Sequence, residues 1–179
     1  MDNYPCLPQP FSTLREDEIY QYFLDNMLIY DLRYEGNAIR FFDTPVIDGR
    51  LQGFHHISTR KPKNTKFELS IRMLEDRARY INWIIPIIEN AKACHSCENR
   101  HSCSKIKFWR KKQGAKNKIY FMVRNDVDYI IIAEQKKGNL YYISTAFIVD
   151  EPYYLKSFLD DYHRYIEQRR SRQDLVVNQ

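Results

Sequence analysis

The feature that most constrains this chain is a run of short, turn-punctuated apolar segments in its second half. Residues 105–112, 117–124, 127–135 and 140–149 read as strands rich in Ile, Tyr, Phe and Val. Asn125-Asp126 and Lys137-Gly138-Asn139 are turn signals between them. A chain with such a run must build a sheet. What precedes the run decides how that sheet is covered.

The first half reads mainly as helix. Thr13-Leu14-Arg15-Glu16 fits a capping box, and Leu14, Ile19, Tyr22, Phe23, Asn26, Met27 and Tyr30 recur at helical spacing. The spacing predicts a helix over about 13–33, ended by Gly36-Asn37. Ala38 to Val46 and Leu51 to Ser58 read as strands around the turn Ile47-Asp48-Gly49-Arg50, and 59–64 as a basic loop. Ile71 to Ala91 reads as a helix kinked or restarted at Pro86, with Leu74, Ala78, Ile81, Ile84, Ile85 and Ile88 as its core stripe. Pro152 suits the first turn of a last helix faced by Leu155, Phe158, Leu159, Tyr162 and Ile166.

Helices first and strands second predict an α+β fold, with an antiparallel sheet of about four to five strands packed against helices. The chain reads as an extended, proline-punctuated segment (1–12), a single domain (13–168) and a frayed polar tail (169–179). A 44% hydrophobic, 28% charged composition excludes a disordered chain. No segment reaches the roughly 20 apolar residues of a membrane helix. The opening Met1-Asp2-Asn3-Tyr4-Pro5 lacks a signal-peptide pattern, so a cytoplasmic protein without a membrane partner is expected.

Cysteine usage then points to metal. Cys94, Cys97 and Cys103 fall within ten residues, and the gap between the first two lets both thiolates reach one tetrahedral ion. His101, His95 or the distant Cys6 would complete the set. We take Cys94, Cys97, His101 and Cys103 as ligands of a structural zinc on a loop insertion at about 93–104. The same region is basic: between Lys92 and Lys118 there are nine Lys/Arg and one acidic residue, Glu98. With Phe108 and Trp109 alongside, this is the footprint of a phosphate-bearing partner such as RNA.

Gly53-Phe54-His55-His56-Ile57-Ser58-Thr59-Arg60 gathers two histidines, two hydroxyls and an arginine. A histidine with a pKa of roughly 6.5 can exchange a proton at neutral pH, as RNA cleavage requires. On a strand His55 and His56 would face opposite ways, and His56 and Ser58 would share a face. Arg72, Arg77, Arg79 and Trp83 lie on the following helix, where guanidinium forks could match phosphate oxygens. On the last strand, Tyr142 and Ser144 would share one face, and Tyr141, Ile143, Thr145 and Phe147 the other.

In this order, the segments Phe54-His55-His56-Ile57-Ser58, Arg77-Ala78-Arg79-Tyr80-Ile81-Asn82-Trp83, Pro86-Ile87-Ile88-Glu89, Trp109-Arg110-Lys111, Asp128-Tyr129-Ile130 and Ser144-Thr145-Ala146-Phe147 are similar to a known pattern. The chain resembles, over about residues 50–149, the barnase–EndoU–colicin–RelE superfamily of small RNases, in its phage- and toxin-associated branch. The resemblance implies His56 as the family histidine, Arg77 or Arg79 as the helix arginine and Thr145 as the final-strand hydroxyl.

The expectation is a metal-independent endoribonuclease that leaves a 2′,3′-cyclic phosphate. His56, Arg77, Arg79 and Thr145 would be catalytic, and Ser58, Trp83, Arg110, Lys111 and Ser144 would bind RNA. No cofactor is needed for the chemistry. A cognate immunity or antitoxin protein is a candidate partner. The alternative is a non-catalytic, zinc-clipped module that binds nucleic acid or protein.

Overall fold

The four strands expected in the second half are all present and form most of one sheet. In the computed structural model, which describes residues 6–13, 15–60, 73–74, 76–94, 106–124 and 127–177, they are β7 (Lys107–Gln113), β8 (Lys116–Val123), β9 (Tyr129–Lys137) and β10 (Leu140–Ile148). Each pairs antiparallel with the next. Alternation along them gives two apolar faces. Phe108, Ile119, Phe121, Ile131, Ala133 and Tyr141 point one way, and Trp109, Tyr120, Met122 and Ile130 the other.

Two short strands from the first half extend the sheet. They are β1 (Arg33–Tyr34) and β2 (Asn37–Arg40), giving the order β1-β2-β10-β9-β8-β7. β2 runs parallel to β10, with Ala38 opposite Leu140 and Arg40 opposite Tyr142. The sheet is therefore mixed and six-stranded, not antiparallel with four or five strands. The reason lies in the connection: nearly a hundred residues separate β2 from β10, and a crossover of that length permits parallel pairing. The ribbons β3 (Val46–Ile47) with β4 (Arg50–Leu51), and β5 (Thr59–Arg60) with β6 (Met73–Leu74), stand apart from it.

The first helix is shorter than its periodicity suggests. α1 spans Glu16–Phe23 and widens into a π-helical turn, Leu24–Leu28. Ile19, Phe23 and Met27, spaced four apart, are its buried stripe. No side chain caps it, so the expected capping box is not formed. Glu16, Asp17 and Glu18 instead set negative charge at its N-terminus, where the helix dipole favours it. The helix stops before residue 33 because Arg33 and Tyr34 pair with β2.

The expected strand Leu51 to Ser58 is the largest departure. Gln52–Ser58 forms a helix, α2. Phe54, Ile57 and Ser58 are all fully buried, a helical spacing that strand alternation cannot produce. Gly53 makes the docking feasible. Its amide donates to the Phe42 carbonyl at 2.8 Å, and a Cβ there would stand 2.6 Å from that same oxygen. The expected helix 71–91 is also divided, into a 3₁₀ segment (Asp76–Trp83) and α3 (Ile84–Ala93). Pro86 falls in the first turn of α3, where its missing N–H costs nothing, so the proline marks a restart.

The last helix, α4, runs Pro152–Val177. Residues 170–177, read as part of a polar tail, continue this helix. They contain neither Gly nor Pro, and their Arg, Gln and Leu are good helix formers. Upstream of that tail, Leu155, Phe158, Tyr162 and Tyr165 cover the Trp109 face of the sheet. α1, α2, the 3₁₀ segment and α3 cover the opposite face. The result is an α+β sandwich of helices, sheet and one long helix.

Candidate functional site

α2 packs against β10. It carries both histidines, and their surroundings differ. His55 is 3% exposed, its Nε2 2.8 Å from the Ile47 carbonyl oxygen and its Nδ1 3.3 Å from Thr59 Oγ1. These contacts tie α2 to β3 and β5. His56 is half-buried and meets the Phe42 ring edge-on at 5.1 Å. The Phe42 ring in turn packs on Tyr142 of β10 at 4.8 Å.

Ser58 does not share a cleft with His56. It is fully buried, and its hydroxyl donates to the Phe54 carbonyl one helical turn back at 2.7 Å. The pairing of these two residues assumed a strand. On a helix, residues two apart diverge by about 200°. Thr59 is likewise turned inward, donating to the His55 carbonyl at 3.0 Å.

The arginines of the 3₁₀ segment also divide. Arg77 reaches β10, with Nη1 donating to the Ala146 carbonyl at 3.4 Å. Close by, Tyr129 of β9 is fully buried, and nothing among the described residues hydrogen-bonds its phenol. Burial pushes that phenol far above its ordinary range, and the Arg77 charge offsets part of the rise. Arg79 faces away. Its Nη1 donates to the Phe11 and Ser12 carbonyls at 3.2 and 2.7 Å. Trp83 is 7% exposed and donates to the Pro8 carbonyl at 2.7 Å. Arg79 and Trp83 thus fasten the N-terminal segment. Arg72 lies outside the described residues.

On β10 a bulge alters the expected faces. Ile143 lies opposite Ala133 and Thr145 opposite Ile132, so Ser144 is the additional residue. Its hydroxyl donates to the Ile132 carbonyl at 3.1 Å. Beyond the bulge the alternation is inverted. Ala146 joins Tyr141 and Ile143 on the helix-covered face, while Phe147 packs on the α4 side. Thr145, opposite Ile132, shares that α4 side. Thr145 therefore sits beside the Arg77 anchor in sequence but on the other face of the strand.

Arg110 and Lys111 belong to a different region. They lie on β7, the edge strand, three strand steps or about 14 Å from β10. Arg110 pairs with Glu35 at 2.7 Å, and Lys111 with Asp161 of α4 at 2.5 Å. Two grooves flank them. One, of about 380 Å³, is bordered by Arg110, Lys112, Lys118, Asn117 and Gln135. The other, of about 210 Å³, lies between β7 and α4 and includes Arg164. The basic run flagged these strand residues. Arg164 was missed, since only packing of α4 on β7 brings it there.

Of the expected zinc ligands, Cys97, His101 and Cys103 lie outside the described residues, as does His95. Cys94 is 5% exposed, and its Sγ accepts the Ile106 amide at 3.5 Å. Among the described residues no group of three or more His, Cys, Asp or Glu is placed to hold a metal ion, so the zinc insertion is without structural support. Nor, among them, is any helix long and apolar enough to cross a membrane. No family model, curated protein or solved structure matches the chain.

Proposed function

We propose that the chain is a metal-independent endoribonuclease whose reacting groups stand along β10. The observation that carries this reading is the anchoring of Arg77 on the Ala146 carbonyl, with His56-bearing α2 packed on the same strand. A permanent cation and a titratable imidazole thus approach one strand from two elements.

His56 would accept the proton of a ribose 2′-hydroxyl. The freed oxygen would attack phosphorus, the bond to the 5′-oxygen would break, and that oxygen would take a proton from solvent. The Arg77 guanidinium would stabilise the phosphorane. Thr145, turned to the α4 side of β10, has no part in this version. The products are a 2′,3′-cyclic phosphate and a 5′-hydroxyl. Ser58, Arg79 and Trp83 have no part in this version, because their polar groups are engaged inside the fold.

The test is incubation of the protein with RNA in EDTA, beside His56→Ala. Cyclic-phosphate ends formed by wild type and lost in the variant support the reading. No cleavage by wild type, or undiminished cleavage by the variant, removes it. A structural zinc held by Cys94, Cys97, Cys103 and His101 belongs to the same reading, in a cytoplasmic protein; its support is the cysteine spacing. Metal content by mass spectrometry checks it.

A second reading, a non-catalytic RNA-binding module, is favoured by one observation: the cations of β7 gather around two grooves far from His56. It gives salt-sensitive binding without turnover.

A further inference from the structure

We infer that the two grooves flanking β7 hold the backbone of single-stranded RNA at a distance from the bond that is cut. The inference rests on the RNase reading only for the word "cut"; the binding surface stands on its own residues.

β7 is the outer strand of the sheet, and Arg110, Lys111 and Lys112 border both grooves. Strand alternation sends Arg110 and Lys112 to one face and Lys111 to the other. Lys118 extends the first groove, and Arg164 of α4 extends the second. Among the described residues five cations line the two grooves, with Asp161 the one carboxylate beside them.

Edge strands commonly carry lysines to discourage strand addition. Here the cations do more than cover the edge. Glu35 holds Arg110, and Asp161 holds Lys111 and Arg164 at the groove mouths. Lys112 is exposed, with no ion pair among the described residues. A phosphate arriving there gains charge-assisted bonds from side chains already held in place. Asn117 and Gln135, which bond each other at 2.6 Å, add amide donors and acceptors to the floor of the first groove.

The geometry favours a single strand. The surface folds over one strand edge, from one face of the sheet to the other. A duplex, with a persistence length of about 50 nm, does not bend over such an edge, whereas a flexible single strand does. With β10 three strands away, RNA seated in these grooves reaches the proposed reacting groups within a few nucleotides. The grooves would then set affinity for long RNA and leave the chemistry of short RNA untouched.

The experiment compares wild type, Lys112→Glu and Lys112→Glu/Arg164→Gln. It measures binding of a labelled single-stranded oligoribonucleotide across a salt series, with melting curves as the folding control. The double variant is expected to bind about tenfold more weakly, its salt slope lowered by about 0.7 for each phosphate it no longer neutralises. Lys112→Glu alone, at an exposed position, gives a smaller reduction of the same kind. Cleavage of a dinucleotide, too short to reach β7, stays at the wild-type rate.

Unchanged oligoribonucleotide binding in the double variant overturns the inference. Equal competition by polyglutamate overturns RNA as the occupant. If wild type cleaves neither RNA yet the variants bind more weakly, the RNase reading fails and the grooves stand.

Discussion

Arg77 and Ala146 are 69 residues apart in sequence, yet the guanidinium Nη1 donates to the Ala146 carbonyl across 3.4 Å. The bond falls on β10 past the end of β2, where, among the described residues, the strand has no further neighbour on that side. It places a permanent charge where a β-partner would otherwise sit. Arg77→Gln keeps a donor there but removes the charge. Under the RNase reading its cleavage rate falls roughly 10²- to 10³-fold while stability changes by only about 1 kcal/mol. Single-turnover kinetics beside urea unfolding measure both. Normal turnover in a folded Arg77→Gln would remove the arginine from the chemistry.

The two histidines separate fold from activity. His55 bridges α2 to Ile47 and Thr59 from a buried position, so His55→Ala should cost about 1–3 kcal/mol by leaving the Ile47 carbonyl without this partner. His56→Ala removes an edge contact to Phe42 worth about 0.5–1.5 kcal/mol and, on the proposed chemistry, all cleavage. Denaturant midpoints rank the pair. A more stable His55→Ala than His56→Ala contradicts the assignment.

Residues 8–12 are held by three side chains of the 3₁₀ segment. Arg79 donates to Phe11 and Ser12, Asn82 to Gln9 and Trp83 to Pro8. Arg79→Ala should loosen this strap at a cost of about 1–3 kcal/mol. Hydrogen exchange is expected to rise at residues 11 and 12, with RNA cleavage preserved. Loss of cleavage in a variant whose strap stays protected would restore Arg79 to the site.

Glu134 gives the fold an acid sensitivity. Burial raises its pKa, but Lys116, Lys118 and Lys136 together outweigh that and hold the carboxyl below its ordinary range. A depressed carboxylate contributes stability at pH above the unfolded value of about 4.3, and the contribution is lost as pH falls through the folded value. Glu134→Gln should therefore flatten the acid limb of a stability–pH curve. An unchanged acid limb argues against the cluster.

The alkaline limb has its own origin. Burial, with Glu35 adding to it, pushes the Tyr34 phenol up to about 12. The folded protein holds that proton past the ordinary pKa of about 10, so the contribution is complete below 10 and lost as pH rises through about 12. Tyr34→Phe should be less sensitive over that window when unfolding is followed by circular dichroism.

The strands of the second half were legible because each has its own apolar run and turn. Helical stripes such as Ile19, Phe23 and Met27 were legible for the same reason. Leu51 to Ser58 was not, since so short a segment fits either period until its burial is known. The bulge at Ser144 carries no local mark. It inverts the faces beyond it, and so separates Thr145 from the face it was expected to share with Ile143. The polar groups of Arg79 and Trp83 find main-chain partners far along the chain, at Ser12 and Pro8, and no local pattern marks that.

The α+β class, the four consecutive strands and the basic character of β7 follow from periodicity and charge, which are local properties of the chain. Tertiary structure decided the rest. It set β2 parallel to β10, wound His55 and His56 into a helix, and brought Arg164 beside Lys111. Each of those outcomes depends on which distant surface is available to bury a side chain or satisfy a backbone group, and no local pattern records that.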